Sequence, residues 1–426
     1  MIEGDDMTKG SLEGVKVLEF STAVAGPHAP WQLAGLGATV VKVESTSRPD
    51  SMRTSLTSKD NIPGVNRGLV FLSQNAGKLS LGLNLKYPQG LDIAKRLVKW
   101  ADILYQNFRP GVLERMGLGY KVAREINPSI IMVSSSAAGG KSANKPVYQN
   151  LAGNASTGEA MSGYYHLTGW ADRKNEKIFR KAYPGDWVAP AFGAMAVIAA
   201  LAYRRRTGKG QHIDLSQVEP MIHCMSVPCL DQQFNEREQT KMGNRHPSAS
   251  PHSAFRCRDE EEYCAIAVFT HEQWQALCQA MGNPSWGQEG RFASSEARKA
   301  NEDELETWIE SWTRTLTASE VMEKLQKAKV PAGVVQTIED IMDKDPQIRT
   351  MGTFAKLEHP VIGKASHLAL PYKLSKTPGE VRTAPLLGQH TEYVCLEILK
   401  MSLEEYEVLK GEGVLEDTTV EAIASR

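Results

Sequence analysis

Through the first half of the chain, short apolar runs alternate with stretches in which apolar residues recur at helical spacing. "VKVLEF" (15–20) reads as a buried strand, "PHAPWQLAGLGA" (27–38) as a helix and "TVVKVE" (39–44) as the next strand. "LDIAKRLVKWA" (91–101) again has helical spacing. It is followed by strand-like "DILYQNF" (102–108), a further helix and the strand "SIIMVSSS" (129–136). The long apolar segment 187–203 predicts a buried helix that runs into Arg204, Arg205 and Arg206 and stops at Gly208, with cations at the negative end of its dipole. "HIDLS" (212–216) then reads as another strand. Strands separated by helices imply an α/β fold with a parallel sheet and right-handed crossovers.

Over 226–252 this pattern lapses into polar, Pro-containing sequence, read as a linker between a large domain at 11–225 and a smaller α+β domain at 253–345. The smaller domain is predicted from a strand pair turning at Asp259–Glu262 and from helices near 272–281, 301–315 and 318–328. Residues 346–384 read as a return linker, and 385–426 as terminal helices returning to the large domain. A chain of 426 residues suits two such cores. Residues before about Ser11, polar and acidic without a signal-peptide pattern, read as a disordered lead-in.

Composition narrows the classes. Hydrophobic residues are 41% and charged residues 23%, the mixture of an ordinary globular chain, and the net charge of −1 offers no field for nucleic acid or an anionic membrane. The longest apolar segment contains Pro190 and Gly193 and is too short to read as a membrane span. The six cysteines form no CxxC pair, so the expectation is free thiols in a reducing cytoplasm and no metal site. No G-x-S-x-G, H-E-x-x-H or P-loop motif occurs. His28, His166, His212 and His223 are dispersed.

The opening strand–Gly–helix–strand, ending in Glu44, imitates a dinucleotide-binding unit. Its loop "STAVAGPHAP" lacks the second and third glycines, so an NAD site is not expected. "NFRPGVLERMGLG" (107–119) is a strand end, a Pro110–Gly111 turn and a helix start flanked by arginines, a place suited to an anionic, nucleotide-like ligand. Asp186, after Pro184 and Gly185, stands at the mouth of the long apolar helix. It reads equally as an N-cap or as a carboxylate kept charged by the helix N-terminus and able to attack an activated acyl group, Gly185 letting a substrate approach.

In order along the chain, "LEGVKVLEFSTAVAGPHAPWQLAGLGATVVKVES", "NAGKLSLGLNL", "ADILYQNFRPGVLERMGLGY", "INPSIIMVSSSAAG", "GDWVAPAFGAMAVIAALAYRRRTGKGQHIDLS" and "APLLGQHT" resemble the family III CoA-transferases, the formyl-CoA and carnitine CoA-transferase group. The resemblance runs from about Leu12 to the C-terminus. It implies a Rossmann-like large domain, a smaller domain and two interlocked subunits, either identical or paralogous. It further implies coenzyme A and acyl-CoA as substrates, no tightly bound cofactor, and no metal, nucleic acid or membrane partner. By the same resemblance Asp186 is the nucleophile, passing through an aspartyl anhydride and an aspartyl-CoA thioester. Ala23, Val24, Asn107, Phe108, Arg115 and Lys78 then contact CoA.

Departures from the family pattern fall at several positions. Leu79 replaces an arginine, Ser45 replaces a basic residue with Arg48 as substitute, and Gln149 replaces the acid of a Tyr-Glu-Asn stretch. "GNRHPSASPH" (243–252) stands where the formyl-CoA enzyme has a glycine-rich lid. The racemases of this fold carry a catalytic His before the Asn-Tyr region; "SANKPVYQN" has none. Tyr164, Tyr165, His166 and Trp170, in an insert at about 150–185, are expected either to line a pocket or to pack in a loop. The insert resembles that of aromatic-acid members such as benzylsuccinate CoA-transferases. The reading is a CoA-transferase with succinyl-CoA as a candidate donor. Its alternatives are an acyl-CoA isomerase or racemase of the same fold, or a silent partner subunit.

Overall fold

The computed structural model describes residues 10–54, 57–140, 153–170 and 184–417. The lead-in before Ser11, Gln149 and part of the aromatic insert lie outside them. The chain divides into two compact units. One takes Met1–Tyr164, Arg180–Leu230 and Thr350–Arg426; the other takes Tyr165–Phe179 and Asp231–Arg349.

The first unit begins as the apolar pattern requires, with β1 (Lys16–Phe20), α1 (Ala25–Gly35) and β2 (Thr39–Glu44). Next come α2 (Leu69–Gln74), β3 (Leu79–Leu83), α3 (Pro88–Trp100), β4 (Ile103–Gln106), α4 (Val112–Arg115), α5 (Tyr120–Ile126) and β5 (Ile131–Ser136). After β5 follow α6 (Ala155–Met161), α7 (Gly185–Thr207), β6 (His212–Ser216) and α8 (Val218–Cys224). A short β7 (Leu415–Glu416) completes one sheet in the order β7-β3-β2-β1-β4-β5-β6. All neighbours are parallel except β7, which is antiparallel to β3. Without β7 this is the doubly wound order whose switch point lies between β1 and β4.

Alternate strand residues serve opposite faces. Leu18, Val41, Leu81, Leu104 and Met132 meet α3 through Ile93, Ala94, Leu97 and Val98. Val17, Val40, Ile103, Tyr105 and Val133 meet α1 and α7 through Ala29, Leu33, Ala194, Val197 and Ala200. Helix α7 approaches closely because Gly193 leaves room for Leu215 and the Tyr105 hydroxyl.

The expectation that α7 is buried holds for one face only. The sheet covers a single side, so Trp187, Phe192, Met195 and Ile198 stay exposed, Met195 by 62%. Among the described residues α7 is the one helix long and apolar enough to cross a membrane. It nevertheless packs on α1 and β5 as a core element of this unit.

Other departures have local causes. The strand β3, "LSLGL", escaped the sequence reading because its alternation spans only five residues. The segment read as a linker from 226 starts with a helix, Ser226–Asn235. The segment read as a return path holds an antiparallel hairpin, Phe354–His359 against Gly363–Leu368.

In the second unit a three-stranded antiparallel sheet, His252–Arg256, Tyr263–Ala267 and Ala332–Val334, packs with helices His271–Ala280, Glu302–Thr313 and Ala318–Lys327. Phe255, Ile266, Trp274, Leu277, Ile309 and Val321 are among its core residues. Thr270 and Thr317 start two of these helices with reciprocal capping boxes. Part of the aromatic insert belongs to this unit, since the Trp170 ring lies over Gly243, where φ is +63 and a Cβ would strike it.

Gly82 is the tightest point of the sheet: a Cβ there would run into the Glu416 carbonyl of β7. Gly82→Ala is expected to unpair β7 and cost about 1–3 kcal/mol. Urea denaturation checks the cost. Amide exchange at residues 414–416, faster in the variant than in the wild type, checks the place.

Candidate active site

Charge is buried beneath the carboxyl ends of β1 and β2. Lys42 on β2 pairs with Glu19 at 3.3 Å and Asp50 at 3.0 Å, and Lys78 pairs with Glu19 at 2.8 Å. All four side chains are 0–1% exposed. Lys42 also donates to the Ser21 carbonyl at 2.6 Å, and Lys78 to the Pro27 carbonyl at 2.8 Å and to Asn75 at 2.9 Å. Burial alone would depress Lys42, but Glu19, Asp50 and Glu44 outweigh it and hold its ammonium above the ordinary range. Burial wins at Lys78, which falls to about 8 despite Glu19, with Lys42 adding to the fall. Beside them Arg53 makes two 2.8 Å bonds to Glu44. Burial would raise Glu44, yet Arg53 brings it down to about 2. Glu44 is therefore committed to Arg53, and the carboxylate that a dinucleotide ribose would need is not free.

This layer shapes the loop after β1. Asp50 accepts from the Thr22 hydroxyl and from the Ala23 amide, both at 3.0 Å, and Ala23 is held at φ +69. On the other side of the switch point the Asn107 amide spans to Thr22. It accepts from the Thr22 N–H and donates to the Thr22 carbonyl, each at 2.9 Å. Gly26, which mimics a dinucleotide glycine in the sequence, is needed because a Cβ would collide with that Asn107 side chain. The Thr22–Asn107 bonds thus join the loop that carries Ala23 and Val24 to the one that carries Asn107 and Phe108. A small hollow of about 50 Å³ lies beside Asn107, Phe108, Pro110, Ser136 and Gly139.

The remaining candidates are placed differently. Arg48 and Arg115 are exposed and enter no ion pair among the described residues. Lys78 lies under the loop with its ammonium engaged by Glu19, Pro27 and Asn75.

Asp186 sits in the first turn of α7, inside the helix. The capping position falls to Pro184, so the N-cap reading does not describe Asp186. Its carboxylate accepts a 2.5 Å bond from Gln217, the residue that follows β6. Burial raises Asp186 most, the Gln217 bond opposes this and Glu159 adds to it, so the carboxyl rises from the usual 3.8 to about 6. Gly185 has a packing reason: a Cβ would meet the Met221 sulfur of α8. Gln217 and Glu159 were not singled out in the sequence. Gln217 could have been found as the residue leaving a parallel strand at its carboxyl end. Glu159 stands out only as the lone acid of "NASTGEAMSG".

Next to Asp186, the Trp187 ring meets His28 edge-on at 4.8 Å, and His28 bonds Gln74 at 2.8 Å. Burial lowers His28 to about 4, so it is neutral near pH 7. Trp187, Trp31, Leu370 and Tyr372 help enclose a cavity of about 350 Å³, large enough for a small organic acid. Of the insert aromatics, His166 faces Glu238 at 3.2 Å on the surface and Trp170 covers Gly243. Among the described residues no cluster of three metal-ligating side chains occurs, and the six cysteines are free thiols.

Residues 12–391 match the family model described as CoA-transferase family III. The chain is 31% identical to the succinyl-CoA–D-citramalate CoA-transferase of Chloroflexus aurantiacus, over 95% of this chain and 98% of that one. It is also 31% identical to a formyl-CoA:oxalate CoA-transferase of Bradyrhizobium sp., over 98% and 100%. Among solved structures, a CAIB/BAIF family protein from Brucella suis superposes with a TM-score of 0.81 at 29% identity, covering 92% of this chain and all of that one.

A carboxyl raised to about 6 carries a stability cost with a defined sign. The folded protein holds this proton to higher pH than the unfolded chain, so stability falls as pH rises from about 3.8 to about 6 and the cost is complete above that. Asp186→Asn is expected to stabilise the protein by about 1–3 kcal/mol near neutral pH. The gain should shrink toward zero below about pH 4, as thermal unfolding across the pH range will register.

Proposed function

The chain belongs to CoA-transferase family III, and on that premise we propose that it moves CoA from an acyl-CoA donor to a carboxylic acid with Asp186 as nucleophile. The observation that carries the reading is a desolvated carboxylate at the start of α7, bonded to Gln217 and poised near 6. It is mostly ionised at neutral pH and more basic than an ordinary aspartate. The carboxylate oxygen attacks the thioester carbonyl, the C–S bond breaks, and CoA thiolate leaves an aspartyl mixed anhydride. The thiolate then attacks the aspartyl carbonyl, releasing the donor acid and leaving an aspartyl-CoA thioester. The acceptor carboxylate repeats the sequence in reverse and departs as its own CoA thioester.

In this reading CoA lies across the switch point on Ala23, Val24, Asn107 and Phe108, and the exposed Arg48 and Arg115 meet its phosphates. Lys78 contributes from below, by fixing Glu19 and the Pro27 carbonyl. Succinyl-CoA, named in one relative, is the first donor to test. The Trp-lined cavity favours an acceptor with an aromatic or bulky apolar body, such as benzylsuccinate, over oxalate. The exposed apolar side of α7 and Ile222 of α8 support assembly with a second interlocked subunit, identical or paralogous. Free thiols fit a cytoplasmic setting.

Incubation with succinyl-CoA, followed by mass spectrometry of the peptide holding Asp186, tests the mechanism. CoA should be found on that peptide. Asp186→Ala should abolish the adduct and lower turnover by about 10³-fold or more. No adduct across a broad acyl-CoA panel would sink the reading, and deuterium exchange at an α-carbon without an acceptor acid would replace it with the racemase. A set of aliphatic and aromatic acceptor acids then ranks the acid.

A further inference from the structure

The cavity beside Trp187 carries a charge that the transfer reaction, as derived above, does not use. Its walls come from α1, α2, the first turn of α7 and the residues around the hairpin Phe354–His359 and Gly363–Leu368. Trp31, Trp187, Leu368, Leu370 and Pro371 make it mainly apolar, and no acidic residue lines it. The two basic groups in its walls are His28 and Lys373.

His28 supplies no charge there. Its Nδ1–H donates to Gln74 Oε1 at 2.8 Å, the Gln74 amide donates to Ser73 Oγ at 3.0 Å, and Ser73 Oγ donates to the Val70 carbonyl at 2.9 Å. Each proton in this chain has one acceptor, which orders the Gln74 amide and keeps the His28 proton on Nδ1. Burial lowers His28 to about 4, so the ring stays neutral near pH 7. Lys373 is different. Its ammonium donates to the Met351 carbonyl, and a Cβ on Gly352, where φ is +61, would stand 3.3 Å from its Nζ. Met351 and Gly352 both line the cavity, so the ammonium is tethered at its wall. The Met351 carbonyl takes one of its three donors, and Lys373 enters no ion pair among the described residues.

We propose that this cavity holds the non-reacting end of a dicarboxylic acid, its apolar body between the tryptophans and its distal carboxylate on Lys373. Lys373 is then the residue that selects diacids as acceptors, an assignment that rests on the CoA-transfer reading above. Asp186 precedes Trp187 in the chain but does not itself line the cavity. The carboxylate that takes CoA therefore lies outside, and the remainder of the acid enters. A remainder that ends in a phenyl or methyl group fills the walls and leaves the ammonium unused. One that ends in a carboxylate adds a charge-assisted hydrogen bond. A diacid with no apolar body reaches the ammonium but leaves the walls unfilled. Lys373 is exposed, so water screens part of the gain.

The test is calorimetric binding of benzylsuccinate, 3-phenylpropanoate and succinate to the full chain with free CoA present, in wild type, Lys373→Met and Lys373→Arg. Wild type is expected to bind benzylsuccinate more tightly than either of the others. Lys373→Met should weaken benzylsuccinate about 3- to 10-fold and leave 3-phenylpropanoate unchanged. Lys373→Arg keeps the charge and should keep the preference. With succinyl-CoA as donor, the KM for benzylsuccinate should rise by the same factor in Lys373→Met while kcat holds. The side chain is exposed, so methionine leaves the fold intact, as an unchanged melting temperature will register. Equal binding of the diacid by wild type and Lys373→Met overturns the role of Lys373, and so does an equal loss of both aromatic acids in that variant. A wild type that binds none of the three acids, or binds the two aromatic acids alike, overturns the diacid class. Discrimination in binding without a CoA adduct on Asp186 overturns the transfer reading instead: the acceptor role falls with it, and the diacid site stands.

Discussion

The candidate site depends on the ion set buried under the β1 loop. Glu19, Lys42, Asp50 and Lys78 are out of solvent, and their charges are matched by one another and by backbone carbonyls. Isolated, any one of them would be intolerable at that depth. Combined, they tie together β1, β2, the segment around Asp50 and the start of β3. Asp50 is the hinge of the arrangement. One oxygen accepts from the Ala23 amide and the other faces Lys42, so the same carboxylate that neutralises the core also bends the loop into its left-handed turn.

From that base the switch point is assembled by exclusion as much as by attraction. The parallel order opens a cleft between the ends of β1 and β4, and Asn107 closes its floor by bonding both backbone groups of Thr22. The absence of a side chain at Gly26 is what allows this. A dinucleotide-binding loop uses its glycines to admit a pyrophosphate. Here the corresponding space is filled by a protein amide. The fold order of a nucleotide-binding protein is retained, while its usual phosphate and ribose contacts are replaced by Asn107 and by the Arg53–Glu44 pair.

The strands of the central sheet were legible because their apolar runs are continuous, and α3 because its apolar face repeats at helical spacing. Lys78 was legible as a residue of interest but not as a buried one, since nothing local to "NAGKLSL" reveals that Glu19 waits beneath it. Asp186 was legible as a choice between cap and nucleophile. Its partner was not legible: Gln217 lies 31 positions away in the chain, and only the closure of β6 onto β5 brings it into range. Glu159 was invisible for the same reason. A single acid in a small-residue segment has the composition of a solvated turn, and only the packing of α6 on α7 and α8 makes it a buried carboxyl. Pairings between distant residues, rather than local propensities, were what the chain's patterning did not encode in readable form.

Glu44 and Asp186 show how one unit sets two buried carboxylates apart. Both are removed from water near carboxyl ends of strands in the same sheet. Glu44 receives a bidentate guanidinium and falls to about 2, so it is a poor base and a fixed strut. Asp186 receives one neutral amide and a like-charged neighbour and rises to about 6. If burial alone decided the matter, the two would move together. They move apart because the partners differ, and the partner at Asp186 is too weak to recover what burial costs. That deficit is a penalty on the resting fold. It is also the free energy released whenever the carboxylate becomes neutral, which an acyl or thioester bond achieves as well as a proton does.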